Sequence, residues 1–515
     1  MAISGEILVV PFIGQGHLFP SIELCKHLSS RNFQATLIIS SAVSSSIPSS
    51  LCHRHPLIQI SEISCSTAPP PPPPDHSGAD QLTRSTSGQF KGHYDEMGQG
   101  IESLITARPN GSPRPLCAVI DVMMSWSKDL FAKLGIPTVG FFTSGACSAA
   151  MEYALWKAHA DELKPGETRL LPGLPEDMAV SYFDLERPPH HGGPPGGPPP
   201  FGPPGSRPGG PPPFGPPGSM KPGGGFRGPP GPGTEPIWLG EVKGTTALMM
   251  NTSRELEGPF LDYVGQQMEK AVWGVGPLLP EEYWNPTGSI LHDRDVRPNK
   301  QSSHSEEEVI QWLDTKPRGS VLYVSFGSEV GPSEKEYAEL ASALEDLDQA
   351  FIWVARPGSC KHGPPPPGGK DEGYYPHELE AKAGKRGLII RGWAPQLLIL
   401  SHSSTGGFLT HCGWNSTVEA IGRGVPMLAW PIRGDQFYNA KLVVSHLKIG
   451  HMVKERDVSK TVEKDDVVNG IRKLMSDEGA KLRAVAIKEK YEGGFPASSE
   501  AALDAFKGFV CAKMG

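Results

Sequence analysis

Short apolar runs separated by amphipathic helical stretches restrict the fold of this chain more than any other feature. The first half offers Ile7–Phe12, Ala35–Ile39, Leu116–Ile120 and Thr138–Phe142 as buried strands. The second offers Ser320–Phe326, Ala350–Val354, Gly387–Arg391, Gly406–Leu409 and Pro426–Ala429. Between them the periodicity predicts helices over Pro20–Leu28, Lys128–Leu134, Glu334–Leu347, Thr417–Ile421, Gln436–Leu447 and Lys464–Met475. Such alternation is the pattern of doubly wound parallel sheets, and here it occurs twice. At 515 residues the chain has room for two or three compact units, each able to close a core without disulfides.

The pattern is interrupted once at length. Thirty-five of the 48 residues from Pro188 to Glu235 are Gly or Pro, and Pro-Pro-Pro-Phe-Gly-Pro-Pro-Gly-Ser stands at Pro198–Ser206 and again at Pro211–Ser219. With few aliphatic side chains to bury, this insert cannot offset its ordering entropy and is expected to be disordered or loosely polyproline-like. It lacks glycine at every third position, so it is not collagen. Pro69–Pro74 and Pro364–Pro367 read as further loop insertions. A boundary near Gly276–Pro277 gives an N-terminal domain over 1–275, a linker over 276–304 and a C-terminal domain over 305–490. The last segment, 491–515, carries a helical stripe of Leu503, Phe506, Phe509 and Val510 and is placed back against the N-terminal domain.

Composition narrows the class of function. With 48 basic and 56 acidic side chains the formal charge is −8, which disfavours a nucleic-acid partner. The eight cysteines show no CxxC pair or metal-type spacing and read as reduced thiols, which points to the cytoplasm. The apolar run Ile7–Ile13 is too short for a signal peptide or a membrane span, so no stable membrane insertion is expected.

Two stretches carry chemistry. The first strand leads into Gly14-Gln15-Gly16-His17 and then Pro20, a tight loop that delivers His17 to a helix start at the carboxyl edge of a parallel sheet, where ligands bind. Asp121, at the end of the Leu116–Ile120 strand, would reach the same edge and could orient the imidazole as a general base. The bland alternative is a surface histidine and a capping aspartate. Phe19 stands where a dinucleotide fingerprint needs its third glycine, which demotes nicotinamide binding. In the second half, Ser325-Phe-Gly-Ser328 follows a strand, and Gly406 to Ser416 runs from a strand into a helix expected near Thr417. Backbone N–H groups there, with His411, Asn415 and Ser416, form an anion site suited to a phosphate or diphosphate. The bland alternative is a glycine-rich turn with an Asn or Ser cap.

The second stretch does not stand alone, because Trp393-Ala-Pro-Gln396 precedes it and Gly434-Asp-Gln436 closes it. Trp393, Pro395, Gln396, His411, Cys412, Gly413, Trp414, Asn415, Ser416, Glu419, Gly424, Pro426, Pro431, Asp435 and Gln436 stand as they do in a known cassette. This resembles the signature box of the plant UDP-sugar-dependent glycosyltransferases. Further landmarks occur in order: the Pro11–Pro20 loop with His17, Val119-Ile-Asp121, Phe141-Phe-Thr-Ser144, Asn251–Glu257, Val275-Gly-Pro277 and Ser325–Ser328. The resemblance covers essentially the whole chain except its Pro/Gly tracts.

The resemblance implies a GT-B fold: two Rossmann-like α/β domains facing across a cleft, with the donor sugar nucleotide on the C-terminal domain and the acceptor on the N-terminal one. Trp393 would stack on uracil with Ala394 beside it, and Gln396 would hydrogen-bond the uridine. Glu419, one turn after Asn415, would accept from the ribose hydroxyls. His411, Asn415, Ser416 and Ser328 would hold the diphosphate as its charge grows, with no metal or other cofactor required. Asp435 and Gln436 would hold the sugar, and a closing glutamine is associated in the family with glucose. Trp414 belongs to the same donor-site set, with packing under the phosphate loop as its favoured reading. His17 would be the base and Asp121 its partner in a single inverting displacement that yields a β-glucoside. Thr143 would touch the sugar, or simply pack at its strand end.

The acceptor expected is a small apolar hydroxylated plant metabolite, first a phenolic such as a flavonoid. Terpenoids and hormones stay open, as does attack by carbon rather than oxygen. Met123, Met124, Trp126, Phe142 and Tyr153 could line its pocket. The chain is read as a monomer. Two other classes compete: an interaction protein whose PxxP runs recruit SH3- or WW-like domains, and a nucleotide-sugar hydrolase or silent binder.

Overall fold

The computed structural model describes residues 3–66, 88–109, 111–186, 231–284, 292, 297–298, 300–356, 374–454 and 461–513. The expectations for 188–230, for Pro69–Pro74, for Pro364–Pro367 and for most of 285–299 lie outside the described residues.

The N-terminal half builds a seven-stranded sheet, all parallel, in the order β3-β2-β1-β4-β5-β8-β9. Its strands are β1 (Gly5–Val10), β2 (Phe33–Ser40), β3 (Ile58–Ile63), β4 (Cys117–Asp121), β5 (Thr138–Phe142), β8 (Ala247–Met250) and β9 (Val272–Gly274). A small antiparallel ribbon of β6 (Thr168–Arg169) and β7 (Val180–Ser181) lies outside it. The C-terminal half builds a six-stranded parallel sheet, β12-β11-β10-β13-β14-β15. Those strands are β10 (Val321–Ser325), β11 (Ala350–Ala355), β12 (Gly387–Arg391), β13 (Thr405–Thr410), β14 (Met427–Ala429) and β15 (Gly450–Met452).

Cover on both faces explains the unbroken apolar runs. In β1, Ile7 and Val9 join one buried cluster with Leu18, Ile22 and Leu28, whereas Leu8 and Val10 join another with Met97, Ile101 and Phe131. In β10, Val321 and Tyr323 face one way, and Leu322 and Val324 the other. The C-terminal helix, Ala497–Lys513, returns to the first sheet, where Leu503, Phe506 and Val510 are buried with β1 and β4 side chains and Phe506 and Phe509 meet the Trp273 ring edge-on.

Four strands of the two sheets escape the apolar-run reading. β3 alternates apolar and polar residues because it is the edge, β8 is Ala-Leu-Met-Met without a β-branched residue, and β9 and β15 have three residues each. The helix expected over Pro20–Leu28 begins earlier and forms α1, Gln15–Ser30, with Pro20 inside it. The helix expected near Thr417 begins at Trp414, because the Gly413 carbonyl already accepts the Thr417 N–H. The helix expected over Gln436–Leu447 is α-helical only to Lys441 and continues as a wider turn from Leu442 to His446. Among the described residues no helix is long and apolar enough to cross a membrane.

Strand order fixes where ligands can bind. In each sheet the order reverses between its first strand and a strand of later connection, and loops leaving that point diverge to open a crevice. In the first sheet the reversal lies between β1 and β4, where Val10 is level with Ile120. In the second it lies between β10 and β13, where Ser325 is level with Thr410. The two crevices face one another. An apolar cluster runs from Phe142, Met151 and Phe260 through Tyr323, Phe408 and Trp414, so the domains are packed together below the cleft.

Candidate active site

The β1 and β4 ends bring together residues 104 positions apart. α1 opens with the Gly14 carbonyl accepting the N–H groups of His17 and Leu18, which sets His17 in its first turn. His17 Nδ1 lies 2.7 Å from Asp121 Oδ2 and 2.9 Å from the Thr143 hydroxyl. The other oxygen of Asp121 accepts the Met123 N–H at 2.9 Å, and the carboxylate is fully buried while the imidazole is 13% exposed. A carboxylate so held favours the tautomer with its proton on Nδ1, which leaves the basic lone pair on Nε2. Thr143 therefore touches the imidazole itself, a contact that neither reading of its sequence position contained.

The β10 and β13 ends supply the opposite wall. His411 follows β13 and is buried, with Gly327 and Gly413 pressed against its ring. A Cβ at Gly327, whose φ is +75°, would stand 2.7 Å from that ring, and one at Gly413 would stand 2.5 Å from it. Cys412 is held at a φ of 61°, an uncommon conformation for a residue with a side chain. Burial drives the His411 pKa down to about 4; Asp435 opposes the shift, and Arg433 and Arg356 add to it. The ring is therefore neutral near pH 7, and its buried Nδ1 has no hydrogen-bond partner among the described residues. A ligand oxygen would satisfy it.

Behind this wall the polar groups are interlocked. The Gln396 amide donates to Ser416 Oγ at 3.0 Å and to Glu419 Oε2 at 2.7 Å, and accepts from the Tyr323 hydroxyl at 3.1 Å. The other oxygen of Glu419 accepts from Arg297. Gln436 Oε1 accepts the N–H groups of Ile432 at 2.9 Å and Arg433 at 3.0 Å, so its amide nitrogen is the end left to meet a ligand. Asp435 accepts from Asn439 at 2.9 Å. Trp393 is flanked by Lys300 and Arg356, each 5.0 Å from its ring centre. Asn415 reaches across the cleft, and its side-chain amide donates to the Gly16 carbonyl at 3.1 Å. Trp414 is buried, with its indole N–H on the Asn251 carbonyl at 2.7 Å.

One cavity of about 230 Å³ gathers His17, Thr143, Ser328, Trp393, Ala394, Gln396, His411, Trp414, Asn415, Ser416, Glu419, Asp435 and Gln436. Asp121 stands behind His17 rather than on the cavity wall. Sequence reasoning missed Arg297, Arg356, Arg433 and Glu329, which also line it. Arg356 follows the end of β11, so the strand-end rule that found Asp121 would have found it too. Arg433, paired with Glu329 at 3.1 Å, sits inside the cassette, whereas nothing in the aperiodic linker marked Arg297.

Two parallel-sheet domains that meet at their reversal points over one cavity form the GT-B architecture. The family model for UDP-glucoronosyl and UDP-glucosyl transferase matches residues 270–488. UDP-glucosyl transferase 73M2 of Saponaria officinalis is 30% identical over 405 residues, covering 74% of this chain and 72% of the relative. Anthocyanin 3'-O-beta-glucosyltransferase of Gentiana triflora is 28% identical over 514 residues, covering 95% of each. The crystal structure of Glycyrrhiza uralensis UGT73P12 with glycyrrhetinic acid 3-O-monoglucuronide superposes with a TM-score of 0.71 at 25% identity, covering 99% of this chain and 96% of that one. The chain belongs to the plant UDP-glycosyltransferases, enzymes dependent on a UDP-sugar donor.

Proposed function

We propose that this enzyme transfers glucose from UDP-glucose to a hydroxyl of a small plant metabolite with inversion, and that the acceptor is a phenolic such as a flavonoid. The observation that carries the proposal is the His17–Asp121 pair, 2.7 Å apart, opening onto the same cavity as His411 and the Trp414 helix start. His17 Nε2 takes the acceptor's proton as its oxygen bonds to the anomeric carbon, while the bond from that carbon to UDP breaks on the opposite face. Asp121 stabilises the imidazolium that results. Negative charge passes to the departing diphosphate, where the helix N-terminus, Arg356 and Arg433 offset it.

The donor side follows from the residues around it. Trp393 would present an indole face to uracil, and Glu419 and Gln396 would meet ribose and uridine, a reading that their shared place on the cavity wall supports. Gln436 offers a donor and Asp435 an acceptor to the sugar hydroxyls, and the closing glutamine is the residue the family associates with glucose. On the acceptor side, Phe19, Val122, Met123, Phe142 and Trp238 give apolar walls. The Gentiana relative's anthocyanin acceptor supports a flavonoid-type phenolic. The glycyrrhetinic acid conjugate in the Glycyrrhiza structure supports a terpenoid as the second reading.

A mass-spectrometric screen of the purified protein with UDP-glucose, UDP-galactose and UDP-xylose against phenol and terpenoid panels tests this. Glucosides formed best from UDP-glucose are expected, and they should vanish in His17→Ala while UDP binding persists. Equal product from His17→Ala, or UDP-glucose hydrolysis without transfer to any acceptor, would refute it.

A further inference from the structure

Two contacts already described meet at His17 from opposite sides, and both begin on adjacent residues of the donor domain. Pro20 has no N–H, so the Gly16 carbonyl, four residues earlier in α1, lacks its helical donor. The Asn415 side chain takes that place from across the cleft, 3.1 Å away. Gly16 is the immediate neighbour of His17.

The second route starts at Trp414. Its indole N–H bonds the Asn251 carbonyl at 2.7 Å, and Gly145 leaves room for the ring, since a Cβ there would stand 2.5 Å from it. The Asn251 side chain donates to the Thr143 carbonyl at 3.0 Å and accepts the Leu278 N–H at 2.7 Å. The Thr143 hydroxyl then meets His17 Nδ1 at 2.9 Å. One route fixes the backbone beside the imidazole, and the other fixes a partner of its ring nitrogen.

We propose that Trp414 and Asn415 are positioning residues for His17: seated at the head of the donor-domain helix, they align the base in the other domain through Asn251–Thr143 and through Gly16. The base is then in place only when the two domains are docked. This rests on His17 being the base, and the tests below separate the two claims.

Trp414→Phe keeps an aromatic ring in the slot and deletes the N–H together with the five-membered part of the indole. It should lower kcat about tenfold with the KM for UDP-glucose and the UDP affinity unchanged, and it should shift the acid limb of the kcat–pH profile, which a merely structural defect would leave in place. Asn415→Ala should lower kcat more strongly beside Pro20 than in a Pro20→Ala background, where the restored backbone N–H serves the Gly16 carbonyl. A coupling of about tenfold between the two substitutions is expected. Strictly multiplicative effects in that cycle would overturn the Gly16 route. Equal losses of kcat and UDP affinity in Trp414→Phe, or an unmoved pH limb, would overturn the Asn251–Thr143 route. If His17→Ala itself kept its activity, the reading of His17 as base would fail instead.

Discussion

The two walls of the cleft are built on the same plan but populated differently. Each lies at a reversal point of a parallel sheet, yet the N-terminal wall carries one imidazole with one buried carboxylate behind it. The C-terminal wall carries a tight mesh in which Gln396, Ser416, Glu419 and Arg297 partner one another and Gln436 is locked by two backbone N–H groups. Proton transfer needs one group in one place, whereas a nucleotide sugar is recognised over its whole length. Changes on the first wall should therefore strike kcat, and changes within the mesh of the second should strike KM, apart from Trp414 and Asn415, whose contacts cross to the first wall.

The largest effect is expected at the base. His17→Ala should lower kcat by roughly 10³–10⁴-fold, near the upper end for general-base loss, with UDP affinity measured by calorimetry unchanged. A matching loss of UDP affinity would break the division between the walls. Asp121→Asn comes next, at roughly 10²–10³-fold in kcat, because an amide that donates to Nδ1 favours the wrong tautomer. The rest of the fold should hold, and circular dichroism checks that.

On the other wall, Glu419→Ala removes the group proposed to accept from the ribose and also the partner of buried Arg297. The KM for UDP-glucose should rise by about tenfold or more, and stability should fall by roughly 3 kcal/mol, as it does when one member of a buried ion pair is lost. Denaturant titration and steady-state kinetics on the same preparation separate the two effects.

The smallest effect concerns pH. His411 has a folded pKa of about 4 against an ordinary 6.5, so between those values the unfolded chain binds more protons than the native one. Its contribution to stability is full above pH 6.5 and is lost as the pH falls toward 4. Half-buried His27, lowered to about 4, acts in the same sense, while buried Glu23, raised to about 7, acts in the opposite sense from 4.5 to 7. His411→Asn should accordingly flatten the fall of Tm between pH 6.5 and 5. A wild-type-minus-variant difference that does not change with pH would contradict the buried neutral ring.

What could be read from the chain differs between the walls for a physical reason. The C-terminal wall is nearly continuous in sequence, since Trp393 to Gln436 spans two strand ends and three helix starts, and short-range geometry brings those together with little help. The opposite wall includes Phe19, Val122, Phe142 and Trp238, apolar side chains that read as core residues; Phe142 and Trp238 are indeed buried, and only the fold shows that all four also line the cavity. Covered strands rich in β-branched residues announced themselves, whereas buried β8, the edge strand β3 and the three-residue β9 and β15 did not.

Taken alone, the sequence determined two doubly wound parallel sheets, the cassette of the donor site, and His17 and Asp121 as strand-end groups able to act together. Local hydrophobic pattern and strand polarity suffice for the sheets and for the edge at which Asp121 ends and the His17 loop leaves, because they set which side chains are buried, whereas the cassette was legible through its resemblance to the signature box. The tertiary structure decided the rest. It set Arg297 on Glu419, Thr143 on the His17 ring, and the Asn415 amide on a carbonyl that Pro20 had left open. Each of these joins groups separated by more than a hundred residues, and only packing one domain against the other, or one loop across a sheet edge, brings such groups within hydrogen-bond reach.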